Sequence, residues 1–181
     1  MSSLFAIPPV LYNTLQPYGE ADEIFAEALP VLGQLLQCDR CFLYLRHPQK
    51  RLAKVAYCWC RTSAFPDLAE SSWQPENPEQ LEAQDPLFAA ALAGGSDIFI
   101  ADIETASSDL INLAYEHQFF PGQRSLAHIH LHRQGQLWGI LEAAMFHHQR
   151  GWTEFDRSLL GFSREQMMPL AIAYVKKHCL G

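Results

Sequence analysis

Three histidines alternate along Ala127-His128-Ile129-His130-Leu131-His132, so in a strand all three project from one face. The five cysteines fall as Cys38-x2-Cys41, Cys58-x-Cys60 and Cys179, and closely spaced thiol pairs are the pattern of tetrahedral zinc sites. Here Cys41, Cys58 and Cys60 lie in strand-like segments, and a strand pair does not wrap four thiolates around one ion. They are therefore expected to pack as small apolar groups, with no metal bound. No Ser/His/Asp pattern, Gly-rich phosphate loop or His-Glu-x-x-His motif occurs, so the chain is expected not to be an enzyme.

The elements that must position these groups follow from periodicity. Glu20 to Gln37 carries Ile24, Phe25, Ala28, Val31, Leu32 and Leu35 at helical spacing, with Pro30 as a kink. Arg40–Arg46 and Leu52–Arg61 are strand-like and flank His47-Pro48-Gln49-Lys50, which predicts a hairpin. Thr62–Gln84 holds Pro66, Pro75 and Pro78 and reads as a surface excursion. A short helix over Pro86–Ala93 stopped by Gly94-Gly95, a strand at Ile98–Ala101 and a helix over Ser108–Phe120 follow. Ser125–His132 and Leu137–Phe146 form a second hairpin, and Thr153 with Asp156 three residues on caps a last helix through Lys177. This order predicts an α+β fold, an antiparallel sheet covered by helices.

At 181 residues and 49% hydrophobic, the chain can bury the core of one domain. Its net charge of -7 and the lack of a basic stripe argue against nucleic acid as a partner. No apolar run approaches the roughly twenty residues that span a bilayer, and the first twenty residues lack a basic n-region. A cytoplasmic protein with reduced thiols is expected.

Three stretches resemble the GAF domain in its cyanobacteriochrome and phytochrome form: Cys38-Asp39-Arg40-Cys41-Phe42-Leu43-Tyr44-Leu45, Ile100-Ala101-Asp102-Ile103, and Leu137-Trp138-Gly139-Ile140-Leu141 followed by Arg150-x-Trp152. The likeness covers Ala21 to Val175, with Gln149 where the family usually has Pro. It implies a GAF fold, a central antiparallel β-sheet flanked by helices with the N- and C-terminal helices packed together. It also implies an N-terminal extension over 1–19 and a single GAF domain over 20–178.

The same resemblance implies where a ligand would sit and what chemistry is missing. The positions matching the Cys-His pair that attaches a linear tetrapyrrole are Ile111 and Asn112, and a histidine that faces the bilin is replaced by Ala144. A covalently bound, photoactive bilin is thus not expected. The ligand-binding positions implied are His128, His130, Glu142, Ala144, Asn112 and Tyr115. Two imidazoles and a carboxylate suit a metal, a polar small molecule or hydrogen bonding among themselves. The family's free methionine sulfoxide reductases depend on cysteines between the second strand and the last hairpin, and from Arg61 to Lys177 there are none. The expected role is regulatory or sensory, through a non-covalent ligand or through contacts with a partner protein or a second copy of the chain. An assembly factor for photosynthetic complexes with a vestigial pocket, and a carrier of non-covalent tetrapyrrole, remain alternatives.

Overall fold

The computed structural model describes residues 5–16 and 18–179. Helix α1 (Pro9–Thr14) precedes α2 (Ala21–Leu36), and the strands β1 (Arg40–His47), β2 (Leu52–Cys60) and β3 (Gln74–Pro75) follow. Then come α3 (Pro86–Leu92), β4 (Ile98–Ile100), α4 (Leu113–Phe119), β5 (Gln123–Arg133), β6 (Gln136–Phe146) and α5 (Glu154–His178). One six-stranded sheet runs β3-β2-β1-β6-β5-β4, and every neighbouring pair is antiparallel. The α+β arrangement is the one expected.

The central strands β1, β5 and β6 bury both faces, and the period-2 pleat divides the core in two. Cys41, Leu43, Leu45, Ala127, Ile129, Leu131, Leu141, Ala143 and Met145 pack with the buried stripes of α2 and α5. Phe25 of α2 meets Tyr174 of α5 with ring centroids 6.2 Å apart, so the terminal helices pack together over this face. The apolar stripes that the sequence offered to a second copy are used inside the chain. Leu11 and Leu15, in and just after α1, are fully buried in the same core, so the segment before residue 20 contributes to it.

Turn chemistry sets the hairpin registers. Gln134 (φ 51°) and Gly135 (φ 76°) join β5 to β6, the left-handed pair that matches strand twist in a two-residue turn. Trp138 is the extra residue of a bulge between the pairs Leu131–Gly139 and His132–Leu137, and the bulge turns its ring onto the helix face. Gly139 must lack a side chain, because a Cβ would stand 2.5 Å from the Tyr44 carbonyl oxygen on β1. Gly139→Ala is expected to cost about 2 kcal/mol, the range for forcing extra volume into a packed interior; chemical denaturation measures it.

Two expectations change. The helix drawn over Ser108–Phe120 begins only at Leu113, because the Asn112 side chain accepts the Tyr115 N–H and caps it there. The excursion after β2 contributes a short sixth strand, and it is anchored: Glu76, with a side chain 1% exposed, accepts from Tyr44 Oη, Arg46 and Arg51, while Arg51 also pairs with Glu82.

Candidate functional site

The other face of the sheet is not filled. Phe42 and Tyr44 of β1, Gln123 and His128 of β5, and Ile140 and Glu142 of β6 form the floor of a cavity of about 160 Å³. Asp85, Leu87 and Phe88 at the start of α3, Tyr115 and Glu116 of α4, and Phe120 cover it. Register decides the floor: Glu142 pairs with His128 on one side and Phe42 on the other, so the three side chains stand in a row.

Three carboxyl groups of this wall are held away from their ordinary ionisation. Burial pushes Glu116 up to about 8, and the nearby Glu142 and Asp85 charges add to the shift while Arg40 opposes it. Burial likewise raises Glu142 to about 7, with Arg40 and Gln123 pulling it down and Asp85 pushing it up. Half-buried Asp85 rises to about 6 by desolvation, against the backbone N–H groups of Phe88 and Leu87. Glu142 Oε1 and Glu116 Oε2 are buried without a hydrogen-bond partner.

The imidazoles have determined tautomers. A carbonyl only accepts, so His130 Nδ1 donates its proton to Gly95 O at 2.8 Å. Burial holds His130 below its usual range and lowers His128 to about 3, so both rings are neutral. His130 Nε2 is then a bare acceptor, and His128 Nδ1 donates to it at 3.0 Å. This leaves the lone pair of His128 Nε2 turned to Glu142 Oε2, 4.0 Å away.

Arg40 lies beside the floor, on the same face of β1 as Phe42 and Tyr44, and is fully buried. Its Nη2 donates to Gln123 Oε1 at 2.8 Å and its Nη1 to Pro66 O at 3.3 Å, with the guanidinium 4.9 Å from the Phe146 ring centroid. Among the described residues it forms no ion pair, and no cluster of three or more His, Cys, Asp or Glu is arranged to hold a metal ion. The cysteines are all free thiols, with Cys38 and Cys41 buried on the helix face and Cys58 Sγ 4.0 Å from Cys60 Sγ.

The sequence model of the GAF domain matches residues 20–167. The chain belongs to the GAF domain family. No curated protein matches it by sequence. Among solved structures, the phycocyanobilin-bound GAF domain of a cyanobacterial phytochrome is 18% identical, with 97% of this chain and 98% of that one covered and a TM-score of 0.69. The GAF domain of an Acinetobacter phosphoenolpyruvate-protein phosphotransferase is 10% identical, covering 95% and 94%, with a TM-score of 0.68. The chromophore-binding domain of an unusual bacteriophytochrome from R. palustris is 14% identical, with 93% of this chain and 60% of that one covered and a TM-score of 0.69. At these identities the likeness is one of fold. A sensory, ligand-binding role is what the GAF family supports, and no described helix is long and apolar enough to cross a membrane.

Within this GAF domain, His128, Glu142 and Tyr115 meet at the cavity. His130 supports His128 from behind and lines a neighbouring open groove of about 630 Å³ with His132, Asp97 and Arg164. Ala144 is buried between Arg40 and Leu126 and does not reach the cavity. Asn112 is spent on its cap and on Gln84 O at 2.9 Å, and it lines a different groove. Sequence reasoning missed Glu116, Asp85 and Gln123. Arg40 carried a signal in the Asp39-Arg40 motif; Glu116 carried none, being one polar residue in an exposed-looking helix.

Proposed function

We propose that this GAF domain binds a small molecule non-covalently in the cavity under α3 and α4 and relays occupancy to a partner protein by contact, without catalysing a reaction. The observation that carries the reading is the pair of buried carboxyl oxygens, Glu142 Oε1 and Glu116 Oε2, left without partners on the cavity wall. A buried polar atom without a partner costs about 1–3 kcal/mol, and a ligand that satisfies it recovers that cost.

A tetrapyrrole does not fit these residues. Pockets that hold drug-sized ligands measure roughly 300–1,000 Å³, and this cavity offers about 160 Å³. No cysteine lines it, and Ile111 and Asn112 stand where the attaching pair would be. Both points support a role other than covalent-bilin photoreception.

Native mass spectrometry of protein purified from its own host tests the reading, since it reports bound ligand, partner and oligomer together. Ile140→Phe, which fills the cavity floor, is expected to weaken the bound ligand at least tenfold while leaving circular dichroism unchanged. A host-purified protein that carries no ligand, and whose partner binding is untouched by Ile140→Phe, would instead be an interaction factor with an idle cavity.

A further inference from the structure

We propose that the cavity takes a small organic cation, a protonated amine or amidine with at least two N–H donors on a body no larger than one ring, held by Glu142, Glu116 and His128. This rests on the cavity being the ligand site and adds the ligand's charge and size.

Two carboxyl oxygens and one imidazole lone pair are left over on the wall. Glu142 Oε1 and Glu116 Oε2 have no partner, and the Nε2 lone pair of His128 is beyond hydrogen-bond length of Glu142. Of the donors nearby, Tyr44 Oη donates to Glu76 and Arg40 Nη2 to Gln123 Oε1, both at 2.8 Å, while Arg40 Nε is buried without a partner. Once ionised, the two carboxyls only accept, and two of them facing one space favour a ligand that donates and carries positive charge. An anion would meet Glu142, Glu116 and Asp85 together.

The fixed cation does not already serve that purpose. Arg40 is drawn off to Gln123 and Pro66 and lies over the Phe146 ring, and no ion pair joins it to either glutamate. Phe42, Phe88, Tyr115 and Phe120 supply the remaining wall, and aromatic faces attract a desolvated cation. Size limits the ligand further: a cavity of about 150 Å³ accommodates a benzene-sized guest, close to the volume here.

Charge exchange gives the site a signature. Both glutamates hold protons near neutrality, so an entering cation displaces them. The groups that face them are Asp85, Tyr115, His128 and the Arg40 guanidinium; His128 stays neutral above pH 3 and the tyrosine stays protonated, which leaves the carboxyls as the titrating set. Cation binding should therefore release between one and two protons and strengthen as pH rises.

The test uses three probes of one shape and three charges, benzamidine, benzamide and benzoate, titrated calorimetrically into the full chain in buffers of differing ionisation enthalpy. Benzamidine is expected to bind at least tenfold more tightly than benzamide, with benzoate not binding, and its affinity should rise at least tenfold from pH 6 to pH 8 with proton release. Glu142→Gln and Glu116→Gln should each lower benzamidine affinity tenfold and spare benzamide; if either variant misfolds, proton release by the unaltered chain decides. Benzamide or benzoate binding as well as benzamidine would overturn the cation assignment and leave the site standing. No binding by any probe overturns the assignment, and an empty host-purified protein would remove the site as well.

Discussion

Glu116→Gln should abolish much of the fall in stability that the unaltered chain shows on going from pH 5 to pH 8. Glu116 binds its proton up to about pH 8 when folded, against an ordinary value near 4.5, so above pH 4.5 the unfolded chain releases a proton that the folded one keeps. The folded state then loses stability with rising pH until about pH 8, by about 1.4 kcal/mol per unit of pKa difference. On that scale the loss is on the order of 3 kcal/mol by pH 7. Glutamine has the shape of the protonated acid and no charge to bury. The variant should match the parent near pH 5 and exceed it by roughly 2–4 kcal/mol at pH 8, read from urea denaturation at each pH. His128 acts on the other side: its folded value of about 3 lies below the usual imidazole range, so stability is lost as pH falls from about 6.5 towards 3. Maximum stability is thus expected between about pH 4.5 and 6.5. A parent curve flat from pH 5 to 8 would mean that Glu116 is ionised in the fold.

Arg150→Ala is expected to lower stability by roughly 3 kcal/mol, because it breaks a largely buried ion pair and leaves one partner behind. Arg150 Nη2 donates to Asp156 Oδ1 at 2.8 Å, and the Asp156 side chain is 4% exposed. Its Nη1 donates to Leu36 O at the end of α2, its guanidinium lies 4.7 Å from the Trp152 ring centroid, and its backbone N–H reaches Ala101 O at 3.0 Å. Trp152 Nε1 in turn donates to Ile100 O at 3.1 Å. One arginine therefore ties α2, β4 and the start of α5 together. Lysine should restore only part of the loss, since it lacks the two-pronged planar donor. A drop below about 1 kcal/mol in denaturant titrations would show that the motif is not structural.

Periodicity made much of the fold legible. Ile24, Phe25, Ala28 and Leu32 marked the face of α2 that packs inward, and the alternation in Ala127–His132 put His128 and His130 on one side of β5, where they do meet. The Thr153/Asp156 spacing gave a capping box that is present as drawn. Ala144 and Asn112 fared differently, because a position matched along a chain says nothing of depth: Ala144 lies beyond the cavity's edge, and Asn112 turned to the nearest free backbone N–H.

Local sequence, through 3.6- and 2-residue periods, caps and turn residues, determined which segments are helix and strand, the two hairpins, and the GAF likeness of the Leu-Trp-Gly and Arg-x-Trp runs. Such signals act between residues close in the chain, so one strand or helix contains them. Tertiary structure alone decided that Glu116 and Asp85 descend over Glu142, that the bulge at Trp138 turns an indole to the helix face, and that Arg40 is drawn to Gln123 rather than to a carboxylate. Those outcomes depend on how α3 and α4 dock on the sheet, and burial after docking, not residue type, is what keeps protons on the two glutamates.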